Sequence, residues 1–118
     1  MTKITDHIRN AAGKPIFSLE IIPPRKGDTL KNLLDNLEPL MEFRPPFVDV
    51  TYHREEYIEQ PQPDGTIRKI ITRRRPGTVG ICSAIMHKFG VDPVPHVLCG
   101  GFSRDETEDF LIDLHYLG

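Results

Sequence analysis

Three ionisable residues sit in apolar stretches where a charge has a cost. Glu20 lies in Ile16-Phe17-Ser18-Leu19-Glu20-Ile21-Ile22, directly before Pro23-Pro24. Asp49 lies in Phe47-Val48-Asp49-Val50-Thr51-Tyr52, and His96 in Val94-Pro95-His96-Val97-Leu98-Cys99. Burying a lone charge costs several kcal/mol, roughly, unless it is paired, protonated or used. The chemistry open to such a set is acid–base. A glutamate close to an aspartate in a low-dielectric interior has its pKa raised by desolvation and by the like charge. A carboxylic acid that keeps its proton near neutral pH is what general acid catalysis requires. For His96 two readings stand, a donor to a ligand or a satisfied core histidine.

The elements that must position these residues follow from periodicity. Residues 16–22, 47–52 and 94–99 read as strands. Side chains alternate along a strand, so Phe17, Leu19 and Ile21 oppose Ser18, Glu20 and Ile22. Likewise Val48, Val50 and Tyr52 oppose Phe47, Asp49 and Thr51, and Pro95, Val97 and Cys99 oppose Val94, His96 and Leu98. Each strand has one face fit to lie under helices and one carrying polar groups. Between the strands run helical patterns. Leu30, Leu33, Leu34, Leu37, Leu40 and Met41 follow a cap at Asp28 or Thr29. Ile81, Cys82, Ile85, Met86 and Phe89 follow a cap at Thr78 and stop at Gly90. Phe110, Leu111, Leu114 and Leu117 follow the capping box Ser103-x-x-Glu106. Residues 1–14 form a helical lead-in, and Asp64-Gly65 turns a small hairpin within the long polar stretch 53–77.

The order β-α-β-α-β-α implies parallel strands joined by helical crossovers, in an open sheet or part of a barrel. With the apolar faces outward under the helices, Ser18, Glu20, Asp49, Thr51 and His96 converge on a barrel interior, near the strand ends where catalytic groups sit. No Gly-x-Gly-x-x-Gly or P-loop pattern accompanies them.

Composition narrows the classes. The chain has 118 residues, 38% hydrophobic, with 15 basic against 17 acidic residues and a net charge of −2. That balance argues against a nucleic-acid or membrane surface, and no apolar run is long enough to span a bilayer. The N-terminus lacks the apolar core of a secretory signal, so the expected location is cytoplasmic. Two cysteines are too few for a disulfide scaffold, and both Cys82 and Cys99 read as buried small hydrophobes. Five scattered histidines show no metal-ligand spacing, so no metal is expected. Arg73-Arg74-Arg75 reads most simply as a solvated face.

Ser18-Leu19-Glu20-Ile21-Ile22-Pro23-Pro24-Arg25, Phe47-Val48-Asp49-Val50-Thr51-Tyr52 and Pro95-His96-Val97-Leu98-Cys99 together resemble, in order and spacing, the first three strands of methylenetetrahydrofolate reductases. The resemblance implies a (β/α)8 TIM barrel that binds FAD. There NADH or NADPH reduces the flavin, which passes a hydride to 5,10-methylenetetrahydrofolate to give 5-methyltetrahydrofolate for methionine synthesis. It implies that Glu20 is the catalytic general acid, that Thr51 and His96 contact the flavin, and that Ser18 and Asp49 are further interior polar candidates. A homo-oligomeric parent is also implied.

Two features depart from the family pattern. The stretch 53–77 is longer and more basic than the short Gly-rich loop usual in bacterial members, and its arginines have a cofactor phosphate or the folate glutamate tail as alternative contacts. A barrel also takes about 250 residues, and the family's Leu-Arg-Gly-Asp segment is absent. The expectation is therefore an incomplete barrel, with residues 15–118 as its first three βα units, inactive alone. The competing readings are a non-catalytic binding or assembly module and an unrelated (β/α) enzyme using Glu20 without flavin.

Overall fold

β-Branched and apolar residues at every second position build three short parallel strands, β1 (Leu19–Ile21), β2 (Phe47–Val50) and, after two further strands, β5 (Asp92–Pro95). They pair in the order β1-β2-β5. The computed structural model describes residues 1–72 and 74–118, so Arg73 of the arginine run lies outside the described residues. Leu19, Glu20 and Ile21 stand opposite Val48, Asp49 and Val50, and Phe47 to Val50 stand opposite Asp92 to Pro95. The ladder continues past the assigned ends. Thr51 N–H donates to the Ile21 carbonyl (3.0 Å) and His96 N–H to the Val50 carbonyl (2.9 Å).

The core lies on one face of this sheet. Ile21, Val48 and Val50 pack with Leu37, Ile81, Cys82 and Ile85, and Leu19, Leu33, Leu40, Met41 and Phe89 close its rim. The helices follow the expected stripes with instructive differences. α2 (Leu30–Leu37) is capped by Thr29, whose hydroxyl accepts from Asn32 N–H (3.2 Å), and Leu30 at its first turn is exposed. Beyond Leu37 the chain tightens into a 3-10 turn, Glu38–Phe43, because Pro39 cannot continue the α-helical hydrogen-bond ladder. That turn ends at Arg44 in the left-handed region (φ 50°).

α3 (Thr78–Phe89) begins at its expected cap, one residue earlier than a cap there implies. Gly77 is the N-cap, and Thr78 is the first helical residue, fully buried. Gly90 terminates α3 at φ 66°, donating to the Met86 carbonyl, a conformation that suits a residue without a Cβ. α4 (Arg104–Leu117) carries the full capping box: Glu106 N–H donates to Ser103 Oγ (3.2 Å) and Ser103 N–H to Glu106 Oε2 (2.7 Å). Its expected inner face is narrower than the pattern implied. Phe110, Leu114 and Leu117 are half-buried, while Leu111 is exposed.

The three strands are shorter than their apolar runs. Phe17 stops short of β1 and is half exposed, its ring set edge-on to Phe43. β5 begins two residues earlier than expected and ends at Pro95, leaving residues 96–99 outside it. At the N-terminal end of the sheet, α1 (Ile4–Asn10) is pinned by Asp92. Thr2 N–H (3.0 Å) and His7 Nε2 (2.7 Å) both donate to its Oδ2.

The hairpin expected at Asp64-Gly65 forms from β3 (Glu56–Pro61) and β4 (Ile67–Thr72), antiparallel and turned where Thr66 N–H and Oγ1 both donate to Asp64 Oδ1. Its side chains are exposed apart from a half-buried Thr72. The Cα radius of gyration is 17.6 Å, against about 13–14 Å for a compact chain of this length. The projecting hairpin accounts for much of that difference.

These packing assignments predict a contrast. Ile85→Ala should lower unfolding stability by about 2–5 kcal/mol, the cost of emptying a fully buried site. Leu111→Ala should stay within about 0.5 kcal/mol, as an exposed position does. Urea denaturation of both variants checks the pair, and equal losses would place α4 deeper in the core than its exposure allows.

Candidate functional site

Because β2 is paired on both sides, its alternation sorts the polar residues onto the face away from α2 and α3. Glu20 and Asp49 are direct cross-strand neighbours, and Val94 is the next residue across. Thr51 and His96 occupy the following level toward the C-terminal end of the strands. The His96 ring leans back over the carboxylates, with Nε2 at 3.8 Å from Asp49 Oδ1 and 3.9 Å from Glu20 Oε2. These are ion-pair distances beyond hydrogen-bonding range. One imidazole thus stands over two carboxylates that the ladder holds side by side, a grouping of the residue types that acid–base chemistry uses.

The surroundings differ from the dry interior that the sequence pattern suggested. Glu20 is 62% exposed, His96 38% and Asp49 26%. The dry surroundings expected around Glu20 are therefore not supplied by these elements, because no described element covers its side chain. Ser18 is exposed, precedes β1 and does not join the cluster. Thr51 does belong to this end of the sheet. Its Oγ1 is buried and has no hydrogen-bond partner among the described residues. A buried hydroxyl left unpaired costs about 1–3 kcal/mol, so Thr51 is suited to a ligand's polar group.

The C-terminal end of the sheet also carries features that the sequence did not single out. Tyr52, Phe102 and Phe110 form an aromatic cluster with ring centroids 4.8–6.2 Å apart. Arg54 lies against Gly101 so closely that a Cβ there would come within 2.6 Å of its Nε. Arg25, Lys26, His53, Arg74 and Arg75 line a cavity of about 620 Å³ beside the hairpin base. The Pro-Pro-Arg segment and the arginine run hinted at such a cavity, but nothing in their spacing said that they meet. No group of three or more His, Cys, Asp or Glu is placed to hold a metal ion among the described residues. No described helix is long and apolar enough to cross a membrane.

Comparison with known proteins draws these features together. The family model described as methylenetetrahydrofolate reductase matches residues 3–118. The chain belongs to the methylenetetrahydrofolate reductase family. It is 26% identical over 101 residues to the 5,10-methylenetetrahydrofolate reductase of Pectobacterium carotovorum subsp. carotovorum, covering 86% of this chain and 28% of that protein. It is 33% identical over 52 residues to methylenetetrahydrofolate reductase (NADH) 1 of Arabidopsis thaliana, covering 42% of this chain and 9% of that protein. The chain thus spans less than a third of the length of these curated relatives. No solved structure matches it significantly.

Within this member of the methylenetetrahydrofolate reductase family the two cysteines differ from each other: Cys82 is buried as expected, and Cys99 is not. Cys82 is buried in α3, and burial pushes its thiol up to about 12. Cys99 is exposed, because β5 ends at Pro95 and leaves Cys99 in the following turn. A chromogenic disulfide reagent at pH 8 should therefore titrate one thiol rapidly in the native protein and the second only in denaturant. Rapid reaction of both in the native state would contradict the burial of Cys82.

Proposed function

We propose that the chain is the N-terminal portion of an enzyme that reduces 5,10-methylenetetrahydrofolate to 5-methyltetrahydrofolate with NADH or NADPH, through bound FAD. In this reading residues 15–118 are the first three βα units of a (β/α)8 barrel and residues 1–14 lead into it. The enzyme is cytoplasmic and homo-oligomeric, and this portion is inactive alone. The observation that carries the reading is the Glu20–Asp49–His96 cluster on the polar face of the parallel strands, in a chain of this family.

The residues present fit a flavin. Thr51 offers a buried, unpaired hydroxyl, and His96 a ring on the same face as Glu20; these two would hold the cofactor. When bound, FAD supplies the hydride carrier between nicotinamide and folate. Glu20 then delivers a proton to a nitrogen of the five-membered folate ring, which opens to an electrophilic iminium. Asp49 stands beside Glu20 as its cross-strand neighbour. His96 stands within ion-pair distance of both carboxylates.

Glu20→Gln in the full-length enzyme separates the two half-reactions. Flavin reduction by the nicotinamide should persist, while folate reduction falls by about 10²-fold or more, the scale of losing a general acid. Stopped-flow flavin absorbance reads both steps. An equal loss in both would remove Glu20 from the acid role, and a full-length protein that neither contains nor takes up FAD would sink the reductase reading.

A further inference from the structure

The cavity beside the hairpin base has a charge that the acid–base cluster does not explain. Arg25 and Lys26 reach it from the loop after β1, His53 from the segment after β2, and Arg74 and Arg75 from the exit of β4. The segments that carry these side chains are tied together by backbone bonds and by one guanidinium. Lys26 N–H donates to the Arg74 carbonyl (2.7 Å), Asp28 N–H to the Arg25 carbonyl (2.9 Å), and the Arg75 guanidinium to the Pro23 carbonyl. The loop after β1 and the hairpin are thereby stapled together, and four permanent cations are brought to one wall.

Among the described residues that line the cavity, one carboxylate offsets them. Glu56 pairs with Arg74 Nε at 2.6 Å. Arg25 and Lys26 have no carboxylate partner among the described residues. Like charges gathered on a chain whose net charge is only −2 repel one another unless an anion enters. The basic character is therefore local, unlike the extended basic stripe of a nucleic-acid surface. Guanidinium groups suit phosphate and carboxylate oxygens in bidentate pairs. The cavity volume of about 620 Å³ falls within the usual small-ligand range of about 300–1,000 Å³.

We propose that this cavity binds the anionic arm of a ligand, a group of two or more neighbouring phosphates or carboxylates. The position supports it. Arg25 follows the strand of Glu20, and His53 follows Thr51 by two residues, so the cavity is built by segments that leave the same strand ends as the cluster. The two sources with this chemistry are the pyrophosphate of a dinucleotide and a run of γ-linked glutamates. Naming those two rests on the reductase reading, whereas the anion site itself does not.

Calorimetric titration of the chain with inorganic pyrophosphate and with tri-γ-glutamate tests the site directly. At least one probe should bind below about millimolar. The double substitution Arg25→Gln and Lys26→Gln should weaken it by about tenfold or more, the loss of roughly one charge-assisted contact. Neither of these side chains has a hydrogen bond or ion pair to lose among the described residues, so circular dichroism and the thermal midpoint should stay unchanged. Should the double variant unfold, each single variant is expected to lose about threefold, half of that free energy. Arg68→Gln with Lys69→Gln, near the hairpin turn, removes the same charge and should change affinity less than about twofold. Tighter pyrophosphate binding assigns a dinucleotide arm, and tighter triglutamate binding a folate tail. Failure of both probes, or equal weakening by the two double variants, overturns the site. Probe binding by a protein whose full-length form lacks folate reduction would keep the site and sink the reductase reading; reduction without probe binding would do the reverse.

Discussion

The parallel ladder through β2 is the constraint on which the rest depends. β2 is hydrogen-bonded on both sides, so its residues cannot rotate independently of their neighbours. Val48 and Val50 are fully buried against α3 and its neighbours, and that packing leaves Asp49 facing the other way. A slip of one residue would put Asp49 under Ile85 and both valines in water. The core therefore selects the register, and the register sets Glu20 beside Asp49. Two carboxylates that would avoid each other in a free chain are held as neighbours by hydrophobic packing on the opposite face.

That separation of labour has a limit. Alternation can decide which way Glu20 points, but it cannot dry the space into which it points. With 62% of its side chain exposed, Glu20 has a carboxylate neighbour fixed beside it but not the dry surroundings that the acid role proposed for it needs. Any desolvation has to come from whatever lies over the polar face during the reaction. Proximity of acid and base and the environment that tunes them are thus supplied by different parts of the system, the first by this sheet.

What was legible in the sequence follows the same division. The strand faces, the Ser103–Glu106 capping box, the Gly90 stop and the Asp64-Gly65 turn were readable because each rests on local chemistry: alternation, a cap, a left-handed residue, a tight turn. The misreadings fell where tertiary packing or chain rigidity intervened. Pro39 cut α2 short, Gly77 took the cap expected of Thr78, and the early end of β5 moved Cys99 into a turn. Leu111 lies on the predicted stripe of α4, yet that helix meets the body along too narrow a strip to cover it. Glu20, Asp49 and His96 were found as a set because alternation is geometric, whereas their exposure depends on layers that no strand pattern describes.

The arginines of the hairpin exit were the least readable of all. A run such as Arg73-Arg74-Arg75 has the pattern of a solvated face, and most such runs are one. What distinguishes this run is the contact of Arg74 and Arg75 with the loop after β1, through the Lys26 amide and the Pro23 carbonyl. Pro23 is itself fully buried two residues after Ile21, so the staple connects the hairpin to the core. The same strand that orients Glu20 therefore also locates Arg25, Lys26 and, through them, Arg74. An insertion that looks peripheral in the sequence is tied to the acid–base cluster through β1.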